Sequence, residues 1–184
     1  MKRRAFLKTA AALVPAPGFP ALAFAQAAAS AQTAERVHLV PAGEDRLGES
    51  HSRGFSSILF KVLPSETGAG LFVIEHKNLV KGGPPLHLHL YQEEWFYVVE
   101  GTVLFQVGDV RKTLRGGDSL LGPRNIPHTF SSAGDKPGRL LIAFTPAGKM
   151  EEFFRVTAVP NPPNQDAAFF RRYDMELIGP SPFA

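Results

Sequence analysis

The sequence predicts an all-β single domain, a sandwich or closed barrel that ends in short helices, and three observations predict it. From about Val37 to Thr145, short runs rich in β-branched and aromatic residues recur between Gly, Pro and Asp turn signals. Helical periodicity appears only after Pro146. There is no cysteine, so the fold does not depend on disulfides, and both a thiolate metal site and a cysteine nucleophile are excluded.

The chain starts MKRRAFLKTAAALVPAPGFPALAFAQAAAS, a basic stretch followed by an apolar run and then by small residues, which reads as a signal peptide cleaved near Ala25. Prolines break the apolar run, and it falls short of the roughly 20 residues of a spanning helix. Arg3-Arg4-Ala5-Phe6-Leu7-Lys8 resembles the twin-arginine export motif, which implies a periplasmic protein exported already folded. Losing Lys2, Arg3, Arg4 and Lys8 takes the net charge from +3 to −1, so the basic character belongs largely to the export segment. No nucleic-acid or membrane-surface partner is expected of the mature chain. The resulting division is an export segment over 1–25, a loose segment over 26–36, a β-barrel over 37–147 and a helical extension over 148–184.

The expected strands are FSSILFKVL (55–63), GLFVIEHK (70–77), LHLHL (86–90), EWFYVVE (94–100), TVLFQVGD (102–109), VRKTL (110–114), SLLG (119–122), HTFSS (128–132) and RLLIAFT (139–145). Beyond them PAGKMEEFFR (146–155) offers an apolar helical face at Met150, Phe153 and Phe154, and residues 164–173 read as a second short helix after a proline-rich break.

Within HLHLYQEEW (87–95), His87 and His89 lie two apart, so a strand projects both from one face, close enough to share a ligand. Two imidazoles and a nearby carboxylate are transition-metal ligands. In a continuous strand Glu93 shares their parity, whereas Glu94 faces the same side only if a turn or bulge at residues 90–92 shifts the phase.

GGPPLHLHLYQEEWFYVVEG (82–101) resembles the first motif of the cupin family: Gly, a short spacer, His-X-His, three or four residues, Glu, six residues, Gly. Glu94 stands at the required distance before Gly101 and Glu93 does not. GDSLLGPRNIPHTFSS resembles the second motif, with Gly117, Pro123 and His128 in place, Asn125 where Gly is usual and Ser132 where Asn is usual. Asn tolerates the left-handed turn that Gly would supply.

The resemblance covers roughly residues 50 to 147. It implies a single-domain jelly-roll cupin, a double-stranded β-helix, in which His87, His89, Glu94 and His128 hold a divalent transition metal. Manganese or iron is preferred, with nickel, copper or zinc also compatible with the donor set.

The chain looks like small cupins that resemble quercetin dioxygenase. That likeness implies a metal-dependent dioxygenase acting on an aromatic or enol-type small molecule, with Glu94 as the catalytic base. A cupin isomerase or lyase and a non-catalytic binding protein are the alternatives. The partner expectations are a small-molecule substrate and a homodimer formed through an outer strand such as FSSILFKVL.

Other residues have plainer readings. His38, His51 and His76 lack partners at ligand spacing and are expected to be hydrogen-bonded or at the surface. Glu93 reads as a solvated neighbour or as a group that orients a ligand. Arg124 reads as a solvated turn residue, with an anion contact as the alternative. Trp95, Tyr97, Phe105 and Phe144 read as barrel packing, and Phe72, Phe96, Phe105 and Phe130 are candidates for the mouth of the site.

Overall fold

A computed structural model describes residues 37–183. The expectations for the export segment (1–25) and the loose segment (26–36) lie outside the described residues. Eleven strands follow in chain order: β1 (His51–Ser52), β2 (Ser57–Val62), β3 (Phe72–Leu79), β4 (Leu86–His89), β5 (Glu93–Glu100), β6 (Thr102–Val107), β7 (Val110–Arg115), β8 (Ser119–Gly122), β9 (His128–Ser132), β10 (Gly138–Thr145) and β11 (Met175–Gly179). Helices α1 (Met150–Thr157) and α2 (Ala167–Arg172) separate β10 from β11. No described helix is long and apolar enough to cross a membrane.

The strands form two antiparallel sheets, one ordered β1-β2-β3-β10-β5-β8 and the other β11-β4-β9-β6-β7. Alternation along the strands decides what lies between them. On β5, Glu94, Phe96 and Val98 are buried while Trp95 is 40% exposed. The inner residues of β3, β5 and β10 meet those of β6 and β9 in one apolar cluster, with Phe96 edge-on to Phe105 at a centroid separation of 5.0 Å.

Gly101 closes the β5–β6 hairpin at φ +86°, where its missing side chain leaves room for the Cα of Gly138. Asn125 takes φ +63°, the left-handed conformation expected of it in place of glycine.

Two differences from the sequence reading concern packing. Trp95 and Tyr97 do not pack inside the barrel; they stack on each other on the outer face of β5, with centroids 5.8 Å apart. The 148–184 segment is not wholly helical, because β11 pairs with β4 and places Met175 opposite His89 and Leu177 opposite His87. The predicted apolar face of α1 is buried at Met150, Phe153 and Phe154, and α2 is capped by Asp166, whose carboxylate accepts from the Phe169 amide.

Candidate metal centre

Three strands bring four buried side chains together. β4 supplies His87 and His89, and β9 supplies His128, which lies directly across the strand pair from His87. β5 supplies Glu94. Between β4 and β5 the chain leaves the five-stranded sheet and enters the six-stranded one, so residues 90–92 break the strand and with it the parity that favoured Glu93. One potential ligand atom from each of His87, His89, Glu94 and His128 lies within 4.8 Å of all the others. The imidazole centroids are 4.9 Å (His87–His128), 5.2 Å (His87–His89) and 5.5 Å (His89–His128) apart.

Hydrogen bonds at the outer edges of the rings settle what the inner edges can do. His87 Nδ1 lies 2.8 Å from the Pro85 carbonyl oxygen and His128 Nδ1 lies 2.9 Å from that of Ile126. A carbonyl only accepts, so each Nδ1 carries the proton and each neutral ring turns an Nε2 lone pair inward. This is how metal-binding histidines are usually oriented.

His128 Nε2 is 2.6 Å and His89 Nε2 3.1 Å from Glu94 Oε2. A neutral His128 would set a lone pair against a carboxylate lone pair at that distance. The contact is stable only with a proton or a cation between the two atoms. Both ring nitrogens of His89 are buried without a hydrogen-bond partner. The donor set therefore fits a divalent transition metal.

The electrostatics agree. Burial, followed by the neighbouring His128 and His89, pushes His87 down to about 3, so it is a neutral donor at physiological pH. Burial alone would raise Glu94, but the hydrogen bond with His128 and the close approach of His89 outweigh it and hold the carboxyl below its ordinary range. His128 moves the other way: burial is the largest single influence and lowers it, but the hydrogen bond and charge of Glu94 and the Ile126 carbonyl together raise it above the ordinary histidine value.

A narrow cavity of about 30 Å³ reaches His87 and Glu94 between walls that include Phe130, Phe144, Phe153 and Phe170. Of the four phenylalanines considered for the mouth, only Phe130 lines it; Phe72, Phe96 and Phe105 are core. The helices after the barrel supply Phe153 and Phe170, which a reading of the barrel motifs could not place. Glu93 is held away from the cluster by Arg124, which donates its backbone N–H and its Nε, each at 2.6 Å. His76 is buried, shares a 2.7 Å hydrogen bond with Ser56 Oγ, and lines the cavity.

Sequence reasoning missed Arg53. It lies between β1 and β2, lines the cavity, and has a buried Nη1 with no hydrogen-bond partner. Its only signal was a cation in an otherwise unremarked turn.

Comparison with known proteins identifies a cupin domain over residues 78–144. Protein SchB of Streptomyces halstedii is 38% identical over 60 residues, 33% of this chain and 44% of that protein, so the match spans less than half of SchB's length. The tetracenomycin polyketide synthase protein TcmJ of Streptomyces glaucescens is 27% identical over 116 residues, covering 61% of this chain and 77% of that one. An RmlC-like cupin from Shewanella frigidimarina superposes with a TM-score of 0.52 at 23% identity, covering 64% of this chain and 96% of the other.

Proposed function

From the premise that the chain carries a cupin domain with a four-residue cluster able to hold a metal ion, we propose that it is a metal-dependent dioxygenase acting on a small aromatic or enol-type molecule. The observation that supports this most directly is the convergence of four ligand atoms within 4.8 Å of one another, with His128 Nε2 2.6 Å from Glu94 Oε2 in a contact that needs a proton or a cation between the two atoms. His87, His89, His128 and Glu94 would hold the ion. A bound manganese or iron would supply Lewis acidity and, having more coordination positions than four protein ligands fill, a place for oxygen-bearing ligands.

The rest falls to the protein. Pro85 and Ile126 fix the rings of His87 and His128 through their carbonyls, and the phenylalanine walls exclude water from the reacting centre. Glu94 Oε2 takes the substrate hydroxyl proton. It serves as a base once His128 no longer donates to it and His89 no longer carries positive charge beside it, since those interactions hold its pKa down. The proposal includes export through the twin-arginine-type leader to the periplasm, removal of residues 1–25, and no membrane attachment afterwards.

A second reading, an isomerase or lyase acting on an oxoacid, is favoured by the arginine in the cavity wall. Elemental analysis of purified protein, followed by oxygen uptake with a catechol or flavonol, separates the readings. Near-stoichiometric manganese or iron with oxygen consumption supports the dioxygenase. Bound metal without oxygen consumption moves the assignment to the isomerase or lyase, and absence of metal overturns both. Glu94→Gln tests the proton transfer: turnover should be lost with metal retained, and unchanged turnover would refute the role.

A further inference from the structure

Among the described residues Arg53 has no acidic partner. Its guanidinium lies over the rings of Phe153 and Phe154, 5.4 and 5.9 Å from their centroids, and its Nη1 is sealed from solvent with no hydrogen bond made. The aromatic faces supply some of the attraction lost with water, but they do not occupy an N–H donor. A buried donor on a cation is costly to leave unmade, and five N–H groups in a planar fork match a carboxylate. Burial lowers Arg53 to about 10, which leaves it charged at neutral pH.

The side chain also stands at a boundary. On one side is the cavity of about 30 Å³ that reaches Glu94 and His87, and on the other an outer groove of about 500 Å³ lined by Ser52, Gly83, Pro85, Pro160 and Gln165. A water needs roughly 10–15 Å³ of such space, so the inner cavity takes about two oxygens, the content of one carboxylate, while the groove takes a larger body. Arg53 and Glu94 line the same cavity with opposite charges, so an anion is favoured beside Arg53 and a cation beside Glu94 and His87.

We propose that Arg53 is the anchor for a carboxylate on the substrate, so that this site takes small carboxylic acids with an apolar or aromatic body. The inference deepens the functional reading above and rests on it for the word substrate. The binding itself requires no metal.

The test is isothermal titration of the full-length protein, as purified and after chelation, with benzoate and with its neutral isostere benzamide. We expect benzoate to bind at least about tenfold more tightly than benzamide in both preparations, the scale of one charge-assisted hydrogen bond. Arg53→Gln should abolish the difference, and Arg53→Lys should keep part of it because the charge remains and the fork is lost.

Equal affinities in the unmutated protein would overturn the proposal without recourse to any variant. So would discrimination that persists in Arg53→Gln. Benzoate binding that appears only with metal and ignores Arg53→Gln would overturn the anchor while leaving the metal reading intact. Arg53-dependent binding in a protein that takes up no metal would do the reverse.

Discussion

Gly83 offers a sharp test of how the loop before β4 sets the histidines. A Cβ built there would collide with the Phe130 carbonyl oxygen and lie 3.0 Å from its carbonyl carbon, both backbone atoms of β9. No flexible side chain can move aside, so Gly83→Ala must displace the loop or the strand by roughly 1 Å or more, and overpacking of this kind typically costs about 1–3 kcal/mol. Two hydrogen bonds resist the move: Thr129 Oγ1 donates to the Pro84 carbonyl at 2.7 Å, and His87 Nδ1 donates to that of Pro85 at 2.8 Å. Weakening both adds about 1–2 kcal/mol.

With a total of about 2–5 kcal/mol and a shift of about 2–4 °C per kcal/mol for a domain of this size, the midpoint of thermal unfolding should fall by roughly 10 °C. Because Pro85 orients His87, metal affinity should fall as well, on the order of tenfold or more. Circular dichroism melts and a metal titration measure the two effects. A midpoint within about 2 °C of the parent would refute the reasoning, since it would show that the loop yields freely.

Three further outcomes follow from the same geometry. A divalent manganese or iron salt at about a hundred times its Kd should stabilise the protein by about 2.7 kcal/mol, and the gain should vanish in a His87→Ala/His89→Ala double variant. His76 is held at about 3 by burial first and by Arg53 second, against 6.5 in an open chain, so the unfolded state gains a proton before the folded one does. Its contribution is therefore intact above about pH 6.5 and is lost as pH falls toward 3, at up to about 1.4 kcal/mol per unit, a slope that denaturant titrations should find reduced in His76→Asn. Glu93→Gln breaks an exposed pair with Arg124 and should change stability by less than about 1 kcal/mol, with metal uptake unaltered.

Much of the site was legible because its information is local. Histidines at alternate positions, a carboxylate five residues after the second and a turn before His128 all fall within short stretches whose backbone geometry follows from residue type. Glu93 and Glu94 could not be separated by strand parity, since the break at residues 90–92 exists only because the chain changes sheets. Motif spacing separated them. What stayed hidden was contact across long separations: Phe153 and Phe170 against the cavity, β11 along the histidine strand, and Arg53 beside a cluster that begins more than thirty residues later. Periodicity identifies an apolar face but not the surface it covers, which is also why Trp95 and Tyr97 read as core although they sit outside.

The two sheets divide the donors unequally. All three imidazoles come from the five-stranded sheet, and the carboxylate comes from the six-stranded one. The shape of the nitrogen triad and the net charge of the cluster are thus inherited from separate parts of the fold. A neutral residue at position 94 would shift the charge by one unit without altering any residue of the sheet that carries the histidines. Such a scaffold can be retuned between ions of different hardness by change in a single strand while its nitrogen face stays constant.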